Sequence, residues 1–224
     1  MSHALYDGLA DAYASFMDER SDYYRVDVLR RLLGEGRGQC LDLGCGGGHF
    51  TAVAVGLGWT VSGIDASEDQ LRVARNRLPA VEFVQGDGAD LPFADRSFAA
   101  GFSTFTHTDF DDFAGSVQEA RRVLKTNAPF VYVGNHPCFV GPTQELVESG
   151  LLRLHPGYRR AGRWRSSDAP GTTPGGWREQ LGSFVHLPLA DFLNAFTGFT
   201  LEQVEELDDG REYPSAIALR FRNP

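Results

Sequence analysis

Apolar positions along the chain fall into short runs separated by segments of helix length. Residues 8–33 carry them at helical spacing, with Leu29, Leu32 and Leu33 closing an apolar face, and Gly34, Gly36 and Gly38 then break the pattern. Beyond Gln39 the spacing predicts a strand over 40–43, a helix over 49–57, a strand over 60–64 and a helix over 68–78. Ser67 and Gln70 fit a capping box at the start of that last helix, the serine taking an end-turn N–H and the glutamine reaching back. A third strand is predicted over 81–84 and a fourth over 98–103, followed by an amphipathic helix over 110–124 with Asp109 as its cap. A fifth strand follows over 130–133. Strands alternating with helices imply a parallel sheet covered on both faces.

After Asn135 the alternation stops. Residues 136–186 are rich in Gly, Pro, Arg and Trp, with weak periodicity, before a helix near 189–196 and two strands near 201–205 and 216–221. The short turn region at 207–214 makes those two strands an antiparallel pair. The expectation is therefore a single domain over 1–224, with cap helices over 1–38 and a ligand-binding core over 39–135. An insertion over 136–187, read as a lid or acceptor loop, and a final helix and strand pair over 188–224 complete it.

Composition changes this picture in few places. At 224 residues, 42% hydrophobic and 23% charged, the chain is an ordinary globular sequence. No apolar run approaches the roughly 18–20 residues of a membrane span, and the N-terminus has no basic segment followed by an apolar one, so a membrane partner is not expected and a cytoplasmic location is. The net charge of −9 disfavours nucleic acid, whose phosphates call for a basic footprint. Cys40, Cys45 and Cys138 form neither a disulfide framework nor a C-x-x-C pair.

The sharpest motif is the run from Leu41 to Phe50, where a strand ends and a helix begins. Its glycines let the backbone turn tightly and let a ligand approach main-chain atoms, and the helix N-terminus beyond suits a negative group. A dinucleotide loop needs G-x-G-x-x-G; starting from Gly44 the third position is His49, and starting from Gly46 it is Thr51. There is no G-K-[ST] either. Asp42, Gly44, Gly46 and Gly48 instead fill an acidic-x-Gly-x-Gly-x-Gly pattern, which resembles the first motif of class I S-adenosylmethionine-dependent methyltransferases. Asp65, at the tip of the second strand, follows Asp42 by 23 residues. The run Gly86-Asp87-Gly88-Ala89-Asp90-Leu91-Pro92-Phe93 is similar to that family's G-D-x-x-x-L-P-F segment, and the fourth strand ends at Ser103-Thr104. The resemblance covers residues 40–135, and its style is that of the ubiquinone/menaquinone-type and small-metabolite members.

That resemblance implies a doubly wound α/β fold with a seven-stranded, mostly parallel sheet whose last strand is antiparallel. It also implies S-adenosylmethionine as cofactor and transfer of its methyl to oxygen, nitrogen or carbon of a small-molecule acceptor, a secondary metabolite or a quinone-like or phenolic compound. It places Asp42 at the methionine amino end, Asp65 at the ribose hydroxyls and Asp87 at the adenine amino group. The cofactor set is Tyr13, Asp42, Gly44, Cys45, Gly46, Gly48, Asp65, Ala66, Gln70, Asp87, Gly88, Ala89, Ser103 and Thr104. The amino-methylating [DNS]-P-P-[YF] motif is absent; Ser103-Thr104-Phe105-Thr106 stands in its place.

Candidate catalytic groups are the histidines. His107, just past the fourth strand, has an ordinary pKa near 6.5 suited to a general base, and His136, His155 and His186 bracket the insertion. Each has a duller reading as a packing or helix-start residue. Tyr158, Arg159, Arg160, Arg163, Trp164, Arg165, Trp177 and Arg178 read either as a lid drawing in an acidic or phenolate acceptor or as a solvated arginine-rich loop. Among Tyr6, Tyr13, Tyr23 and Tyr24, Tyr13 is the expected cofactor cover. His107, Asp109, Asp111 and Asp112 read as an acidic helix start, and no metal site is expected. A homodimer is left open. Two other functions compete: a cofactor-binding fold catalysing a non-methylating cyclisation or rearrangement, and a nicotinamide oxidoreductase, which the misplaced third glycine disfavours.

Overall fold

A computed structural model describes residues 4–19, 26–147, 150–207 and 210–224. The region predicted as helical over 8–33 holds two helices, α1 (Ala10–Glu19) and α2 (Val26–Leu33). Tyr23 and Tyr24 lie outside the described residues. The alternating core follows: β1 (Gln39–Leu43), α3 (His49–Gly56), β2 (Thr60–Asp65), α4 (Glu68–Arg77), β3 (Glu82–Gln85), β4 (Ala100–Thr104), α5 (Phe113–Val123) and β5 (Pro129–Asn135). The segment read as irregular contains β6 (Gln144–Leu146), β7 (Leu152–Leu154), β8 (Gly162–Arg165), α6 (Trp177–Leu181) and β9 (Ser183–His186). Its strands pair antiparallel as two small sheets, β6 with β7 and β8 with β9. Strands of three or four residues are too short to show a period, which is why the sequence pattern hides them. The chain closes with α7 (Leu189–Asn194), β10 (Thr200–Leu207) and β11 (Ala216–Arg222).

The main sheet has seven strands in the order β10-β11-β5-β4-β1-β2-β3. Pairings among β1 to β5 are parallel, whereas β11 runs antiparallel to both β5 and β10. This is the expected doubly wound arrangement. Burial shows why alternate residues of one strand serve two cores: Phe130 and Tyr132 join the core under α5 and α7, Val131 and Val133 the core under α1 to α3. Each such fully buried side chain contributes roughly 1.5–3 kcal/mol. The strand order reverses between β1 and β4, so the loops leaving their C-terminal ends diverge and open a crevice there.

Two local expectations change. The helix after β4 starts at Phe113, and its cap is Asp112, which accepts a 2.8 Å hydrogen bond from Gly115 N; Asp109 does not cap it. A 3₁₀ turn (Thr106–Thr108) intervenes because Phe105 takes a left-handed φ of 59° and redirects the chain. The capping box is half made. Gln70 N donates to Ser67 Oγ at 3.2 Å, but the Gln70 side chain does not reach back; its Oε1 and Nε2 are buried without a hydrogen-bond partner.

Candidate active site

At the end of β1 the chain folds back on β2: Gly44 N and Cys45 N both donate to Ile64 O, at 2.9 and 3.0 Å. This needs left-handed backbone, with φ of 75° at Gly44, 49° at Gly46 and 78° at Gly48. At Gly44 a Cβ would also stand 2.4 Å from Thr106 Cγ2, so the loop and the β4 exit approach as closely as glycine allows. Asp42, 1% exposed, accepts a 2.6 Å hydrogen bond from Thr51 Oγ1 on Oδ2, while Oδ1 has no partner. Burial pushes its pKa up to about 7 against the pull of the Thr51 hydroxyl, with the Asp65 charge adding to the rise. Asp65 braces the loop from the other strand: Oδ2 accepts from Gly46 N and Oδ1 from Ser67 N, both at 2.9 Å. Its pKa is also raised, by burial first, although these two N–H bonds oppose the shift.

A cavity opens between this loop, α1 and the end of β4. Six of the predicted residues form its wall: Tyr13, Gly44, Cys45, Gly46, Gln70 and Thr104. The rest lie outside the wall. Asp42 and Asp65 hold the loop, Gly48 starts α3, and Ala66 O accepts from Gln85 Nε2 at 3.1 Å. Ser103 is buried, with its hydroxyl donating to Leu43 O at 2.8 Å and sharing a hydrogen bond with Thr106, so it ties β4 to β1. Asp87 is exposed, its Oδ1 accepting from Ala89 N at 2.9 Å in a turn that includes Gly88.

The wall also contains residues that sequence reasoning did not select: Ala14, Met17, Gly47, His49, Phe50, Arg77 and Phe105. Met17 and Ala14 arrive because α1 packs across the sheet edge, which no local pattern announces. Arg77, at the end of α4, turns back to donate to Gly47 O at 3.2 Å and pairs with Asp18 at 2.9 Å. Asp18 lies 3.4 Å from His49 Nδ1 as well, so α1 is tied to the helices on either side of the loop.

The four histidines are not brought to one place. His107, 2% exposed, packs against Phe113, Tyr132 and Phe192, and its Nδ1 is hydrogen-bonded to the Tyr132 hydroxyl. Burial first, then the nearby Arg178 charge, lowers its pKa to about 3. Burial thus holds the imidazole neutral and weakens its basicity in the ligand-free protein. His136 accepts from Cys138 N at Nδ1 and donates from Nε2 to Glu206 at 3.0 Å. His155 pairs with Glu145, and His186 donates from Nε2 to Tyr158 O, both at 2.7 Å. None of the four lines the cavity.

The arginine-rich segment is likewise engaged internally. Arg163 bonds Asp111, Arg165 bonds Asp168, Arg178 bonds Asp109, and Arg160 lies 4.3 Å over the Trp164 ring. Three of the charges read as lures for an acidic acceptor, those of Arg163, Arg165 and Arg178, are paired with carboxylates of the chain itself. Trp177 meets Tyr13 and Phe16 of α1 edge-on, at 5.2 and 5.3 Å between ring centroids.

The wall suits S-adenosylmethionine on structural grounds. Asp42 Oδ1 and the Gln70 amide are buried polar atoms without partners, of the kind a polar ligand completes, and the glycine loop leaves main chain open to close approach. Comparison with known proteins agrees. A family model described as "Methyltransferase domain" matches residues 41–132. The chain is 31% identical over 186 residues to a demethylmenaquinone methyltransferase of Renibacterium salmoninarum, covering 76% of each protein. It is 35% identical over 109 residues to a demethylmenaquinone methyltransferase of Chlorobaculum tepidum, of whose length the match spans 45%. A crystal structure of an S-adenosylmethionine-dependent methyltransferase from Mesorhizobium loti shares the fold, with a TM-score of 0.71 at 22% identity over 92% of this chain and 99% of that one. Loop, acidic strand tips and sheet order thus coincide with sequence kinship, and the chain belongs to the class I S-adenosylmethionine-dependent methyltransferases.

Proposed function

We propose that this enzyme methylates a small aromatic acceptor of the quinol or phenol type. The observation that carries the reading is kinship with a demethylmenaquinone methyltransferase across 76% of both proteins. When bound, S-adenosylmethionine supplies a sulfonium methyl activated for in-line displacement. Asp42 would take the methionine ammonium on its free Oδ1, Asp65 the ribose hydroxyls and Asp87 the adenine amino group, with Gly46 and Gly47 allowing close approach. Tyr13 and Met17 line the cavity from the α1 side. Positioning of this kind is worth roughly 7–11 kcal/mol of barrier.

The test is calorimetry with S-adenosylmethionine, followed by an isotope-labelled methyl transfer assay on reduced naphthoquinones, catechols and simple phenols. Label in one of these classes supports the reading. Tight cofactor binding with no label in any of them excludes that acceptor class. Turnover sustained by S-adenosylhomocysteine would instead reveal a non-methylating reaction.

A further inference from the structure

Asp109 does not cap a helix and does not line the cavity, yet three distant parts of the chain converge on it. Its Oδ2 accepts from the Tyr6 hydroxyl at 2.9 Å, and its Oδ1 accepts from Arg178 Nη1 at 2.8 Å and Thr108 Oγ1 at 3.3 Å. Arg178 Nη2 also bonds the Thr108 hydroxyl, and Arg163 Nη2 donates to the Asp109 carbonyl at 3.2 Å. The Arg178 and Asp109 side chains are only 24% and 18% exposed. Tyr6 packs 4.9 Å from Tyr13, and Trp177, next to Arg178, packs on the other side of Tyr13. One carboxylate thus joins the segment leading into α1 to the start of α6, and the rings beside those two anchors close over a wall residue of the cavity.

We propose that Asp109 is a positioning residue that makes closure of α1 over the cofactor pocket conditional on docking of α6. The coupling is electrostatic. Arg178 compensates the half-buried carboxylate, and an ionised carboxylate accepts a stronger hydrogen bond from Tyr6 than a protonated one. Without Arg178 the carboxylate is left uncompensated, and the Tyr6 anchor weakens with it. Without Tyr6 the ion pair keeps its charge balance, but α1 loses its tie to the β4 exit. Asp109 acts on the pocket only through Tyr6, Tyr13 and Trp177. The inference rests on the assignment of the cavity to S-adenosylmethionine.

The test is a calorimetric double-mutant cycle on the full chain, with S-adenosylhomocysteine as probe: wild type, Tyr6→Phe, Arg178→Leu and the double variant, with Arg178→Lys as the conservative control. Each single variant is expected to weaken binding about tenfold, the scale of one charge-assisted hydrogen bond. The double variant is expected to bind no worse than Arg178→Leu, because the two anchors fail together. Arg178→Lys should recover most of the affinity, since a charge is restored, which a loss of packing alone would not predict. With Trp59 and Trp164 replaced by Phe in both backgrounds, Trp177 emission should change on binding with Arg178 present and lose that response in Arg178→Leu. Unchanged affinity in both single variants, or a double variant whose loss is the product of the two, overturns the proposal. Tyr6→Phe removes one hydroxyl, so it stays informative even if Arg178→Leu fails to fold. Wild-type protein that does not bind the probe defeats the cofactor assignment; wild-type binding with indifferent variants defeats the interlock alone.

Discussion

The two sides of the cavity are built by different means. The floor, from Asp42 to Gly48 with the tip of β2, is held by main-chain hydrogen bonds and buried carboxylates between adjacent strands. The cover, from α1 and α6, is held by aromatic edges and an ion pair between residues up to 164 positions apart, such as Tyr13 and Trp177. Floor contacts are short in sequence and buried or partly buried, so each is costly to lose. Cover contacts are half-exposed and individually modest, which suits a part that must admit a ligand.

Gly44→Ala is the most severe way to break the floor. Its left-handed φ and the 2.4 Å approach to Thr106 Cγ2 leave no room for a methyl group, and a loss of about 3–4 kcal/mol in urea unfolding is expected. A smaller loss than about 1 kcal/mol would mean that the loop relaxes easily. Acid sharpens the contrast next. The folded pKa of His107, about 3, lies below its ordinary 6.5, so the neutral form is favoured in the fold and its stability contribution is lost as pH falls from 6.5 toward 3. Between pH 7 and 4.5, His107→Gln should lose about 3 kcal/mol less than wild type in the same titration.

Asp42 runs the other way. Its folded pKa of about 7 lies above the ordinary 3.8, so the ionised form is disfavoured in the fold, and ligand-free stability falls as pH rises from 3.8 through 7. The proposed contact of Asp42 with the methionine ammonium requires that ionised form, so on that proposal affinity rises with pH up to about 7. Asp42→Asn should flatten this pH dependence and weaken binding by about 2 kcal/mol, roughly 30-fold, in calorimetry. On the cover, Trp177→Leu removes two edge-on ring contacts and should weaken cofactor binding by about 1 kcal/mol, with unfolding shifted no more than that. Smallest of all, Arg165→Ala breaks an exposed pair with Asp168 and should change stability by less than about 0.5 kcal/mol.

Reading the sequence recovered the floor because its determinants are local. A strand, a turn that demands positive φ and a capped helix each have a short pattern, and Gly44, Gly46, Asp65 and Ser67 fall where those patterns put them. Asp109 and Asp112 show where that reading stops. Both are plausible caps by type and spacing, and only the left-handed Phe105 decides that Asp112 takes the helix while Asp109 is released to bind Tyr6 and Arg178. His107 is a second case: position marks it as near the acceptor, but Tyr132, Phe113 and Phe192 remove it from water and lower its basicity. The arginines after β5 are a third, since nothing in their spacing names Asp109 or Asp111 as partners.

The sequence by itself determined the alternation of strands and helices, the glycine loop, the acidic strand tips and the cofactor class. The alternation and the glycine loop follow from dihedral preference and periodicity over a few residues, and the cofactor class from the resemblance of that loop and the strand-tip acids to a known family. The tertiary structure decided that Asp42 keeps an unpartnered carboxylate oxygen, that burial lowers the basicity of His107, and that α1 and α6 meet above the pocket. Those outcomes depend on burial and on the partners that folding brings from far along the chain, and neither quantity is a property of any short stretch of sequence.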